Sequence, residues 1–154
     1  MKLSDLLYRK LIASIITVNI FSLVVSIIFV LGYDTYGSLD SGIIGISLIT
    51  LFYITPFVLL YGVPVSILIE YMSLKFLPAS NTLFIGMHSI FGMASYFIFW
   101  DWAGVIYGMI LAALFACADR LLSSYRMTKK LIVASIVIPI GLYAFGIILI
   151  AGIE

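Results

Sequence analysis

Residues 81–121 read NTLFIGMHSIFGMASYFIFWDWAGVIYGMILAALFACADRL. As far as Ala118 the one formally charged residue in this stretch is Asp101, set between Trp100 and Trp102. A helix rises 1.5 Å per residue, so roughly 20 apolar residues cross ~30 Å of hydrocarbon. Residues 81–118 make nearly twice that length, too long for one crossing. The stretch therefore predicts two membrane helices, about 81–100 and 102–121, joined by a tight hairpin at Asp101. Tryptophan favours the headgroup region, which places the turn at a membrane interface.

Composition supports the same solvent throughout the chain. Of the 154 residues, 64% are hydrophobic and 10% charged, whereas soluble domains run at roughly 45–50% and 25%. Too few charges are present to cover a water-facing surface. Three further apolar segments qualify as crossings, at about 11–31, 41–69 and 131–153. The first follows Lys2, Arg9 and Lys10, outlasts a signal-peptide core and lacks a small-residue cleavage site, so it reads as an uncleaved signal anchor. The second is long and contains Pro56, Gly62 and Pro64; each proline removes a helix hydrogen bond, which predicts a kinked or tilted helix. Pro139 interrupts the fifth.

Five crossings put residues 1–10, 70–80 and 119–130 on one side. All eight Lys and Arg residues then share that side: Lys2, Arg9, Lys10, Lys75, Arg120, Arg126, Lys129 and Lys130. The other side holds Asp34, Asp40, Asp101 and Glu154. Four or six helices would spread basic residues over both faces. The positive-inside rule makes the basic side cytoplasmic. The expected fold is a single all-α domain, a polytopic five-transmembrane-helix bundle with its N-terminus inside and its C-terminus outside.

Few residues carry a functional hint. Gly104, Gly108, Ala112 and Ala116 recur at steps of four and form a small-residue ridge that lets another helix approach closely. The neighbour is either in the same chain or in a second one. His88 stands about two turns into the third segment; an ionisable group there is either functional or a neutral imidazole bonded to a neighbouring helix. Glu70 and Asp119 lie at the basic-side ends of the second and fourth segments, placed to meet one another and to pair with Lys75 or Arg120, as interface charges or as part of a gate. Asn19 leads a polar stripe with Ser22 and Ser26, expected to bond across helices. The Pro56–Pro64 region breaks the backbone ladder either for packing or to free carbonyls for a substrate site.

Several chemistries are set aside. A lone cysteine, Cys117, rules out an intramolecular disulfide and a cysteine zinc site. No catalytic, nucleotide-binding or metal motif occurs, so neither catalytic residues nor a cofactor is expected. A net charge of +1 makes no case for nucleic acid.

Ile54-Thr55-Pro56-Phe57 leading into Tyr61-Gly62-Val63-Pro64-Val65-Ser66, on a short multi-helix plan, resembles a family of small uncharacterised multi-pass membrane proteins of Bacillus-type bacteria. The resemblance implies a bacterial plasma-membrane location and transfers no functional residue. The expected partners are the lipid bilayer and either a second copy or another membrane protein. The expected role is a helix-packing subunit or regulator of a membrane complex. The alternative is a small oligomeric transporter or channel with its pathway at the kinked second helix.

Overall fold

The structure, a computed structural model, describes residues 3–32, 39–76 and 80–124, together with 133–135, 137, 139, 141, 143 and 148. The described residues are almost entirely helical, with no strand among them. Helix α1 spans Leu3–Gly32 and α2 spans Leu39–Phe57. A π-helical turn, Val58–Gly62, joins α2 directly to α3, Val63–Phe76. Helix α4 covers Asn81–Gly92, a 3₁₀ turn Met93–Ser95 follows, and α5 covers Tyr96–Phe99. Helix α6 spans Trp102–Ser123. The fifth segment, 131–153, lies mostly outside the described residues; its described positions, among them Pro139, are helical.

Three helical stretches are long and apolar enough to cross a membrane: Ser4–Val30, Gly42–Ser73 and Trp102–Ser123. The protein is thus a helical membrane-type chain. The bounds differ from those expected at α1, which starts at Leu3 and takes Arg9 and Lys10 into the helix. The second segment is also longer, because α3 continues to Phe76.

The two prolines do not end the second segment. Pro56 lies inside α2, and the π turn stops two residues short of Pro64. Its ladder includes Val63 N–H to the Val58 carbonyl, five residues back. A π turn holds one more residue per turn than an α-turn, which relieves the clash a proline makes with the carbonyl four residues back. The irregularity expected as a kink takes this form.

The hairpin in the quoted stretch closes in two residues. Trp100 adopts a left-handed conformation, φ 52°, and its N–H donates to the Tyr96 carbonyl at 2.8 Å. Asp101 is extended and starts α6. Ser80 caps the other end of the hairpin, accepting from Leu83 N–H.

Cross-helix contacts fix an antiparallel register. Ser26 meets Ser47 between α1 and α2 (2.8 Å), Phe21 meets Tyr107 between α1 and α6, and Tyr61 donates to the Phe91 carbonyl at 2.9 Å. One apolar core joins α1, the π turn, α3 and α6 through Ala13, Phe21, Val58, Leu111 and Phe115; a second joins α3, α4 and α6 through Ile69, Phe84 and Ala116. Where α4 crosses α6, Gly92 and Gly108 face each other backbone to backbone. A Cβ on either would fall on the other's backbone, and one on Gly108 would also strike the Ser95 side chain. Ser95 Oγ seals the crossing: it lies 2.8 Å from both the Gly92 and the Gly104 carbonyl, and its one proton is shared between them. The ridge of small residues on α6 is therefore used within the chain.

Gly92→Ala and Gly86→Ala separate close approach from helix propensity. Overpacking costs about 1–3 kcal/mol, so Gly92→Ala lowers the unfolding midpoint in detergent micelles, followed by tryptophan fluorescence. A Cβ at Gly86 meets nothing within 4 Å, and that variant unfolds at or slightly above the wild-type midpoint.

Candidate functional site

Four charged side chains from three helices share one buried layer. Arg9 and Lys10 are adjacent on α1, Glu70 stands on α3 and Asp119 on α6. Lys10 Nζ donates to Glu70 Oε2 at 2.8 Å and to Asp119 Oδ2 at 2.6 Å. Arg9 reaches the same pair, with Nη2 to Glu70 Oε2 at 2.6 Å and Nε to Asp119 Oδ1 at 2.8 Å. Lys10 and Asp119 are 0% exposed, and Arg9 and Glu70 are nearly as buried. Each carboxylate touches both cations, so the formal charges cancel within the layer.

The sequence signal foresaw that Glu70 and Asp119 meet. It assigned them the wrong cations: the partners are Arg9 and Lys10, not Lys75 or Arg120. Lys75 lies over the Tyr71 ring at 5.9 Å. Arg120 places its guanidinium 3.7 Å over the Phe84 ring, and its buried Nε has no hydrogen-bond partner among the described residues. Arg9 and Lys10 read as topology-setting flanks because the positive-inside rule already accounted for them. A signal was present: two acids stood at helix ends on the same side as two adjacent bases at the head of an apolar run.

Phe84 forms the floor of this layer. Its ring also has Lys10 Nζ 5.3 Å from its centroid and the His88 ring at 4.3 Å. His88, one turn further along α4, is buried, stacks near Phe115 and has Nδ1 2.9 Å from the Phe84 carbonyl. Its Nε2 is buried without a partner among the described residues, as are Thr17 Oγ1 and Ser66 Oγ. Ser66 is one turn from Glu70 on α3, and Thr17 is two turns from Lys10 on α1. Unpaired buried polar atoms cost about 1–3 kcal/mol each.

Two cavities lie between the helices. A small one of about 30 Å³ is lined by His88, Tyr61 and Gly62 of the π turn, Gly92 and Phe115. A separate cleft of about 490 Å³ lies nearer the Asp101 turn, lined by Phe21, Tyr53, Tyr107 and Asp101 among others. Phe57, Gly108 and Leu111 line both. The two hollows thus adjoin between the Asp101 turn and His88, and none of the four ion-paired side chains is among the residues that line either.

Among the described residues Asn19 makes no bond across helices; its Nδ2 donates to the Ile15 carbonyl of its own helix at 2.7 Å. Its stripe-mates do bridge: Ser22 lies 3.0 Å from Tyr143 OH, and Ser26 accepts from Ser47. Among the described residues no three His, Cys, Asp or Glu side chains group as a metal site. Compared with family models, curated proteins and solved structures, the chain matches none.

Removing one member of a buried ion pair leaves the other charge stranded, typically at about 3–5 kcal/mol. Asp119→Leu is expected to destabilise by that amount in micelle unfolding. Adding Lys10→Met to it restores most of the loss, since Arg9 and Glu70 then remain as a neutral pair. Additive losses would show that the layer is not coupled.

Proposed function

We propose that this chain is a small plasma-membrane transport protein of five crossings, N-terminus cytoplasmic and C-terminus external. The basic side of the sequence then makes the ion-paired layer the cytoplasmic end and the tryptophan turn the external end. The observation that carries the reading is the placement of two unlike features along α1 and α6: the buried ion pairs of Arg9, Lys10, Glu70 and Asp119 near one end, and the cleft beside Phe21, Asp101 and Tyr107 near the other.

In this reading the conformation faces outward. The ion-paired layer is the cytoplasmic gate, and solute enters beside Asp101. Several features support it. Buried ion pairs are a poor source of stability, and well-packed apolar side chains often replace them without loss, so a gate gives the layer a reason to exist. Intramembrane ionisable groups commonly mark pathways. The π turn, an element frequent at functional sites, lies where the cleft narrows and lines the cavity with His88. No step requires a catalytic residue or a cofactor.

A second reading is a helix-packing subunit or regulator in a membrane complex. Its support is the exposed face of α2 and the π turn, where Ile49, Phe52, Tyr53 and Leu60 stand outward. The α6 ridge no longer speaks for it, being occupied by α4.

Flux in proteoliposomes separates the two. Wild-type protein is expected to move a small organic solute, and His88→Ala or Pro64→Ala to reduce the rate at least about tenfold, since misplacement of roughly 1 Å suffices for large losses at such sites. Absence of flux across a broad panel of ions and small solutes would overturn the transport reading and leave the subunit reading standing.

A further inference from the structure

The cleft has a chemical character of its own. Its lining holds four aromatic rings, Phe21, Tyr53, Phe57 and Tyr107. Phe21 and Tyr107 meet edge to face with centroids 6.2 Å apart, an arrangement that turns the face of one ring away from the other. Aromatic faces carry negative potential and attract cations, more strongly where water is excluded. Asp101 is the one charged residue among those that line the cleft, and no basic residue accompanies it.

The Asp101 carboxylate is also uncommitted among the described residues. The residue stands at the N-cap of α6, yet its side chain makes no capping hydrogen bond. The start of α6 relies instead on the Asp101 backbone carbonyl, which accepts from Val105 N–H. An exposed carboxylate at the mouth of a low-dielectric cleft draws in cations and repels anions. The volume of about 490 Å³ falls within the range of roughly 300–1,000 Å³ usual for small-molecule sites. Aromatic walls with a single anion at the rim suit a bulky apolar cation better than a hydrated metal ion, which needs several oxygen ligands.

We propose that the cleft binds a monovalent lipophilic organic cation, with Asp101 as its counter-ion and Phe21, Phe57 and Tyr107 as its aromatic walls. The proposal names the substrate class for the transport reading above and rests on that reading for its physiological meaning. Binding itself requires only the cleft.

The probe is tetraphenylphosphonium, and its uncharged comparator is triphenylphosphine oxide, each titrated onto the full-length protein in detergent micelles by equilibrium dialysis. The cation should bind at least about tenfold more tightly than the comparator, the equivalent of one full charge-specific contact. Asp101→Asn should weaken cation binding at least about tenfold and leave the comparator unchanged, while Asp101→Glu stays within about threefold of wild type. Tyr107→Leu should weaken the cation about fivefold or more, in the range of a desolvated cation–aromatic contact. Each variant is accepted as folded when it elutes as wild type does. Equal affinity for cation and comparator, or wild-type affinity in Asp101→Asn, would overturn the proposal. Cation binding without cation flux would keep the site and remove the transport reading. Flux of other solutes without cation binding would do the reverse.

Discussion

Two cations and two carboxylates must be buried together or not at all. A single unpaired charge at that depth would have to be dragged out to water or stranded at a cost of several kcal/mol. This requirement organises the bundle. It brings the first helix in at Leu3 rather than Leu11, because Arg9 and Lys10 can enter only where Glu70 and Asp119 wait for them. It also fixes three helices, α1, α3 and α6, at one level and one rotation. The π turn belongs to the same constraint. An extra residue in a turn rotates everything beyond it by about 100°, and beyond Gly62 it is Val63, Ser66, Ile69 and Glu70 that are buried. Without that rotation α3 would present a different face to the charged layer.

The opposite end is held differently. Between α4 and α6 the helices meet at Gly92 and Gly108, with Ser95 bridging carbonyls on both sides of the crossing. Such a contact relies on dispersion and hydrogen bonding, since lipid removes the hydrophobic drive between helices. It joins α4 to α6 only. Helices α1 and α2 contact each other through Ser26 and Ser47, and between these two pairs the cleft opens. The Phe21–Tyr107 contact still joins α1 to α6 beside the cleft, so the bundle is held there by packing and at the other end by charge.

Much of the architecture was legible in the sequence. The Trp100–Asp101–Trp102 turn was readable because a run of that length cannot cross once, and the α6 ridge because small residues at steps of four leave a flat face. The prolines marked the right place on the second segment. They did not specify a π turn, since that choice depends on what α3 must point at. The carboxylates were found, but their cations were not: pairing spans 110 residues from Arg9 to Asp119 and 60 from Lys10 to Glu70, and no local pattern encodes it. Asn19 misled for the opposite reason. Its short side chain has a carbonyl within reach four residues back in its own helix, a local bond that needs no neighbour.

Under the proposed transport role, the ion-paired layer bars water from one side of the bundle while the cleft beside Asp101 admits it from the other. Thiol accessibility measures this directly. In a Cys117→Ala background, a single cysteine replaces Tyr107 in the cleft or Ser66 beneath the layer, and a membrane-impermeant maleimide is applied to one face of sealed vesicles at a time. The expected result is that the cysteine at 107 reacts from the external face only, and the cysteine at 66 is unreactive from the cytoplasmic face until Glu70→Gln opens the layer. Ready labelling at 66 from the cytoplasmic face with Glu70 intact, or none at 107 from outside, would contradict the claim.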